Sequence, residues 1–228
     1  MTGAYQGFRD TSLNPPVRGF LHGPEHGAGN GLVLAHGAGS NSNSSLLTAL
    51  AGAFVGAGFA VLRCDLPFRQ NRPYGPPRPG DAERDREGLR SAVAALRKQG
   101  CGRMFLGGHS YGGRQATMLC ADQPDLVQGL LLLSYPLHPP RKPAQLRVQH
   151  LPRLQIPALF VHGTRDPFGF VEEMETAVKM IPAKTKLLTL DGVGHDLGFK
   201  GKAMRDEVVP EVVNAFVDFF GLIYPAGL

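Results

Sequence analysis

Residues Gly108-His109-Ser110-Tyr111-Gly112 set a serine between two glycines. A short apolar run, Arg103–Gly107 (RMFLG), leads into them, and a helical pattern, Gly112–Asp122, follows. A serine at such a strand-to-helix corner can act as a nucleophile. The turn is sharp enough to strain its backbone, a side chain at either glycine would collide with neighbouring elements, and the hydroxyl stands clear over the sheet. The helix that follows aims its first N–H groups at the same spot. The plain alternative is a glycine-rich turn with an incidental serine; the strand before and the helix after favour the nucleophile.

A serine hydroxyl reacts poorly until a base takes its proton. The run Lys186–Leu190 (KLLTL) leads into Asp191-Gly192-Val193-Gly194-His195-Asp196, and Pro157–Val161 (PALFV) leads into His162-Gly163-Thr164-Arg165-Asp166-Pro167. The chain order Ser110, Asp166, His195 leaves room for a strand and a helix between successive members, so all three emerge at one sheet edge. His195 is then the base and Asp166 the acid that fixes its tautomer. Asp191 and Asp196 lie nearer to His195 in sequence, but neither follows the penultimate strand, where the orienting acid arises. Asp166 before Pro167 also fits a turn or helix cap, and both roles are compatible. The third component is an oxyanion hole. The small residues of His36-Gly37-Ala38-Gly39-Ser40 let backbone lie against a tetrahedral intermediate. Its expected donors are the N–H groups of Ala38 and Tyr111.

The elements that must position these residues form a regular rhythm. Gly31–Ala35, Phe59–Cys64, Arg103–Gly107, Val127–Leu133, Pro157–Val161 and Lys186–Leu190 read as short strands. Ser44–Ala57, Asp81–Gln99, Gly112–Asp122, Phe170–Met180 and Glu207–Phe220 read as helices. Continuous apolar strands alternating with helices indicate an α/β fold, a mostly parallel sheet with helices on both faces. A further strand, Val17–Leu21, belongs to an edge hairpin. No repeat and no long linker interrupts the 228 residues, so one domain over 1–228 is expected.

Composition narrows the classes. With 43% hydrophobic and 19% charged residues the chain is neither disordered nor fibrous. No apolar run approaches the ~20 residues that span a bilayer, and residues 1–10 hold no stretch of signal-peptide length. Cys64, Cys101 and Cys120 form no CxxC pair, which argues against a disulfide framework and for burial in a reducing compartment. A cytoplasmic protein that binds no membrane is expected. The eight histidines show no HxH or HExxH spacing, so no metal site is expected; His36, His109 and His162, beside the catalytic loops, read as hydrogen-bonding supports. The net charge of +5 permits anionic partners, but the basic residues lack interleaved aromatics, so nucleic acid is not among them.

These residues together resemble the α/β-hydrolase superfamily. Within it they are similar to the small, lid-poor predicted hydrolases related to testis-expressed protein 30 and to dienelactone hydrolases. HGAGS at 36–40, RCDLPFRQNRPYGPPRPGD at 63–81, GGHSYGGR at 107–114, SYPLHPPRKP at 134–143, HGTRDPFG at 162–169 and GVGHDL at 192–197 carry the resemblance. It implies a Ser110, Asp166, His195 triad and no metal or organic cofactor. The chain departs from dienelactone hydrolase proper, whose nucleophile is a cysteine. A serine hydrolase acting on an ester, thioester or related acyl bond is one function class. A non-catalytic interaction protein on an α/β-hydrolase scaffold is the other, and the intact set of Ser110, Asp166, His195 and HGAGS separates them.

No sizeable cap domain fits between the strands at 127–133 and 157–161, where only the proline-rich Pro136–Gln155 lies. Together with Pro67–Gly80 it forms a pair of acid-free segments carrying Arg69, Arg72, Arg78, Arg141, Lys142, Arg147 and Arg153. These cations either bind backbone carbonyls in loops that lack regular structure or form a rim attracting a small anionic acyl substrate. Arg69, Arg72 and His138 are the substrate-contact candidates of the second reading.

Overall fold

The computed structural model describes residues 5–23, 29–199 and 205–223. Eight strands form one sheet: β1 (Tyr5–Asp10), β2 (Val17–His22), β3 (Asn30–Ala35), β4 (Phe59–Cys64), β5 (Arg103–His109), β6 (Gly129–Leu133), β7 (Ala158–Gly163) and β8 (Thr185–Leu190). Six helices connect or close them: α1 (Ser45–Gly56), α2 (Pro67–Asn71), α3 (Asp81–Arg97), α4 (Tyr111–Asp122), α5 (Val171–Val178) and α6 (Arg205–Phe219). The spatial order is β1-β2-β4-β3-β5-β6-β7-β8. The hairpin β1–β2 joins β4 antiparallel, and every pairing from β4 to β8 is parallel.

Period-two alternation splits the strands between two cores. Val33, Leu106, Leu130 and Leu132 face the layer of α3, α4 and α5, with Leu89, Leu96, Leu119 and Met174. Leu32, Leu34, Leu131 and Leu133 face α1 and α6. There Phe54, Phe105 and Phe216 pack edge to face, with centroids 5.1–5.2 Å apart. Burial on both faces explains why these strands read as unbroken apolar runs. Ser44 caps α1 by accepting the Leu47 N–H, and Asp81 and Glu83 occupy the first turn of α3, where the helix dipole favours carboxylates.

Two elements differ from expectation. The Pro67–Gly80 excursion begins with a short helix, α2, because Pro67 sits at its first turn, where a missing N–H costs nothing. The edge strand itself is β1, the hairpin partner of β2, whose largely exposed residues carry little apolar pattern. Between β6 and β7 the chain makes only one 3-10 turn, Leu151–Arg153, and no cap domain. All three cysteines are free and buried; burial pushes the Cys64 and Cys120 thiols up to about 12 and raises that of Cys101. No helix of the described residues is long and apolar enough to cross a membrane.

Candidate active site

Ser110 stands at the junction of β5 and α4 with φ 51° and ψ −115°, a conformation that side chains rarely adopt. Its N–H donates to the Leu133 carbonyl (2.8 Å) and its carbonyl accepts the Arg114 N–H (3.0 Å), so both sides of the strained residue are tied down. The flanking glycines are sterically required. A Cβ at Gly108 would lie 2.8 Å from the Ala35 carbonyl oxygen, and one at Gly112 only 2.6 Å from that of His36.

Ser110, Asp166 and His195 come together as the spacing predicts. The Ser110 hydroxyl lies 2.8 Å from His195 Nε2, and His195 Nδ1 lies 2.8 Å from Asp166 Oδ2. A carboxylate only accepts, so Nδ1 carries the imidazole proton and Nε2 is free to accept from the serine. Asp166 is 1% exposed and takes the Phe168 N–H on Oδ1 (2.9 Å), which fixes its rotation. Asp191 instead accepts from the Thr164 hydroxyl at 3.2 Å.

Neighbouring rings hold the imidazole of His195. Phe168 stacks on it, with centroids 4.1 Å apart and planes inclined by 30°. His109 Nε2–H donates to the His195 carbonyl (2.7 Å), coupling the nucleophile turn to the loop after β8. Burial, and next the adjacent His195, hold the His109 imidazole down at about 4, so it is a neutral donor near pH 7. His162, fully buried, pairs Nε2 with the Gly169 carbonyl at 2.8 Å.

The turn Gly37–Ser40, closed by Ser40 N–H to Gly37 O (3.1 Å), lies against the serine. A Cβ at Gly37 would sit 3.5 Å from Ser110 Cβ. The Leu66 N–H donates to His36 Nε2 (3.1 Å), so Nδ1 holds the proton and donates to Gly37 O (2.8 Å). Burial keeps this imidazole neutral, at about 4. Since C=O and N–H of a trans peptide point opposite ways, pinning Gly37 O sets the direction of the Ala38 N–H. Tyr111 is the first residue of α4, so its N–H has no partner within the helix. Its hydroxyl donates to Asp85 Oδ2 (2.7 Å), whose Oδ1 takes the Phe68 N–H (2.9 Å); burial raises the Asp85 carboxyl.

The structure gives each of the three substrate-contact candidates partners within the protein. Arg69 is 5% exposed and donates to the carbonyls of Ser40, Ala38, Gly75 and Arg72. Arg72 is committed to Asp81 and to the Pro76 carbonyl. His138 is buried, with Nδ1 on the Pro139 carbonyl (2.8 Å) and Nε2 on Glu173 (3.2 Å). Each serves loop backbone or a neighbouring side chain, because proline-rich segments leave carbonyls that some donor must satisfy. Arg153, also counted in the basic rim, pairs with Asp122 at 3.0 Å.

Sequence reasoning passed over Phe168 and Asp85. Asp85 had a signal: it shares the buried stripe of α3 with Leu89, Ala92 and Leu96, and a carboxylate there needs a specific donor. Phe168 had none, because its contact depends on how two loops meet.

Residues 28–220 match the model of the alpha/beta hydrolase domain. Among solved structures, dienelactone hydrolase from Anabaena variabilis superposes with TM-score 0.73 at 19% identity, covering 96% of this chain and 99% of that one. Est1E from Butyrivibrio proteoclasticus gives 0.72 at 17%, covering 96% and 100%. The Paleococcus ferrophilus monoacylglycerol lipase gives 0.68 at 19%, covering 94% and 99%. At these identities the neighbours share the fold, and the match over most of the chain places the protein in the α/β-hydrolase family.

Proposed function

We propose that the protein is a serine hydrolase that cleaves an ester, thioester or related acyl bond of a small substrate through an acyl-enzyme. His195 Nε2 takes the Ser110 proton as Oγ attacks the acyl carbon. The negative charge that develops on the acyl oxygen is received by the N–H groups of Ala38 and Tyr111. The tetrahedral species collapses as His195 returns the proton to the leaving oxygen, sulfur or nitrogen, which leaves Ser110 acylated. Water then attacks the acyl carbon, giving its proton to His195, which passes it to Ser110 Oγ as the bond from Oγ to the acyl carbon breaks and the acid leaves. Asp166 holds the imidazole in the tautomer that can accept from serine and stabilises the imidazolium between the two transfers.

The observation that carries this reading is the unbroken chain Ser110 Oγ, His195 Nε2, His195 Nδ1, Asp166 Oδ2 with both contacts at 2.8 Å, on a serine held at φ 51°. An incidental serine would need neither the strain nor the base. The absence of a cap domain between β6 and β7 supports an open cleft and short acyl groups.

The test is a fluorophosphonate probe on the folded protein, followed by a panel of p-nitrophenyl esters of increasing acyl length. The expected result is one adduct, on Ser110, that Ser110→Ala abolishes, with turnover highest for short acyl chains. No adduct and no turnover on the folded wild type would overturn the hydrolase reading. A sharp rate increase at the micellar threshold of long-chain esters would overturn the open-cleft reading.

A further inference from the structure

The one-turn helix α2 holds no member of the triad, yet it touches both sides of the site. Phe68 packs between His36 and Tyr111, with ring centroids 5.6 and 5.8 Å away. Its N–H shares the Asp85 carboxylate with the Tyr111 hydroxyl. The next residue, Arg69, is a buried guanidinium whose fork reaches across to the turn after β3. Nε donates to Ser40 O at 2.8 Å and Nη2 to Ala38 O at 3.0 Å, while Nη2 and Nη1 also hold Gly75 O (2.9 Å) and Arg72 O (3.2 Å) of its own excursion. A fully charged group is thus spent on backbone carbonyls, two of them in the turn that presents Ala38.

We infer that Arg69 is the positioning residue of the oxyanion hole, fixing the turn 37–40 through the Ala38 and Ser40 carbonyls. This rests on the serine-hydrolase reading above. The turn has four carbonyls. Gly37 O is held by His36 and by the Ser40 N–H. Ala38 O and Ser40 O are both held by the single planar fork of Arg69, which spans two carbonyls two residues apart and so fixes the plane of the turn as well as its position. A glycine-flanked alanine has little side chain with which to hold itself. Without the fork, the peptides Ala38–Gly39 and Ser40–Asn41 can rotate, the turn closed by Ser40 N–H on Gly37 O loosens, and the Ala38 N–H is displaced with it. Donors stabilise a developing oxyanion because they are already oriented when the charge appears, so a loosened turn costs transition-state stabilisation and leaves ground-state binding intact. The anchor is itself anchored. Gly75 and Arg72 carbonyls hold the guanidinium from behind, and Arg72 is tied to Asp81 at the start of α3.

The experiment compares full-length wild type, Arg69→Lys, Arg69→Met and, as a charge control from the same excursion, the exposed Arg78→Ala. Active sites are titrated to completion with fluorophosphonate, and kcat is expressed per titrated site with a short p-nitrophenyl ester. Inhibition by phenylboronic acid, which forms a tetrahedral adduct on a serine oxygen, is measured alongside. Lysine keeps the charge but gathers its donors on a single nitrogen where a planar fork is needed. Arg69→Lys is therefore expected to lower kcat per site about 10- to 100-fold, less than or equal to the loss of a whole oxyanion donor. KM should stay within about threefold, and the boronic acid inhibition constant should rise as kcat falls, by a similar factor. Arg78→Ala should match wild type. Arg69→Met tests removal of the whole fork; if it does not fold, Arg69→Lys carries the comparison. A lowered Tm with kcat per titrated site unchanged, or a boronic acid constant unmoved, overturns the proposal and leaves Arg69 a loop brace. A wild type that neither hydrolyses the esters nor takes the probe on Ser110 overturns the hydrolase reading, and the role of Arg69 with it.

Discussion

At the elbow, Ser110 is placed by its own stretch of chain. Gly108 and Gly112 bring backbone within contact of Ala35 and His36, and the neighbouring strand takes the Ser110 N–H. At the turn Gly37–Ser40, which lies against the same serine, placement comes from far along the sequence, from the Leu66 N–H acting through His36 and from the fork of Arg69. The first region is rigid because nothing larger fits. The second is rigid because other elements hold it. Steric placement tolerates no added atom, whereas borrowed placement tolerates change where the turn faces open space, as at Gly39, and fails when the lender changes.

Asp166→Asn sets the scale, since it alters neither region. It should lower kcat by about four orders of magnitude by favouring the wrong imidazole tautomer. The activity that remains then measures what the elbow and the turn do without a working base, and a variant within tenfold of wild type would show that Asp166 does not orient His195. Gly112→Ala attacks the seam where the two regions meet, because its Cβ would fall 2.6 Å from the His36 carbonyl oxygen. A backbone atom cannot swing aside, so we expect a loss of roughly 2–4 kcal/mol in denaturant titrations and a much slower reaction with fluorophosphonate. Normal stability together with normal labelling would break the claim that sterics place the serine.

The acid limb of stability comes next. His22, His36, His109 and His150 are held at about 4, mainly by burial, against 6.5 for a free imidazole. The unfolded chain binds their protons more readily, so their contribution is complete above pH 6.5 and is lost as pH falls towards 4, at up to ~3 kcal/mol for each. Urea midpoints measured from pH 7 to 4 should fall, and His36→Gln should flatten that fall; an unaltered slope would mean His36 is not kept neutral by the fold. The smallest effect is expected at Gly39→Ala. A Cβ there meets nothing within 4 Å, so activity and stability should stay within about twofold and 0.5 kcal/mol of wild type. A large loss would place the turn in the same steric class as the elbow.

The same contrast explains what the sequence discloses. Ser110 and its glycines form a local pattern, and chain order alone singles out Asp166 and His195, because parallel strands deliver their ends to one edge. The parallel strands themselves stand out as apolar runs buried on both faces. Strand β1 does not, since an exposed edge strand carries no such pattern. The role of Arg69 is invisible in one dimension. Its partners at 38 and 40 lie 31 and 29 residues away, and an arginine among prolines reads equally well as a substrate contact. Phe168 lies two residues after a recognised aspartate, but its stacking on His195 exists only once the loops after β7 and β8 have met.

The three sealed thiols make this protein an unusually quiet background for sulfur chemistry. With Cys64 and Cys120 held at about 12 and Cys101 also raised, no native cysteine offers appreciable thiolate near neutral pH, and alkylating agents and peroxide find little to attack. A single-atom exchange of oxygen for sulfur, Ser110→Cys, would therefore introduce the one accessible thiol of the molecule. It would sit beside an imidazole already placed to deprotonate it, and its reaction with iodoacetamide could be followed by mass without removing any other cysteine. The protein as it stands keeps its reactive position in the form of an alcohol, which peroxide does not oxidise.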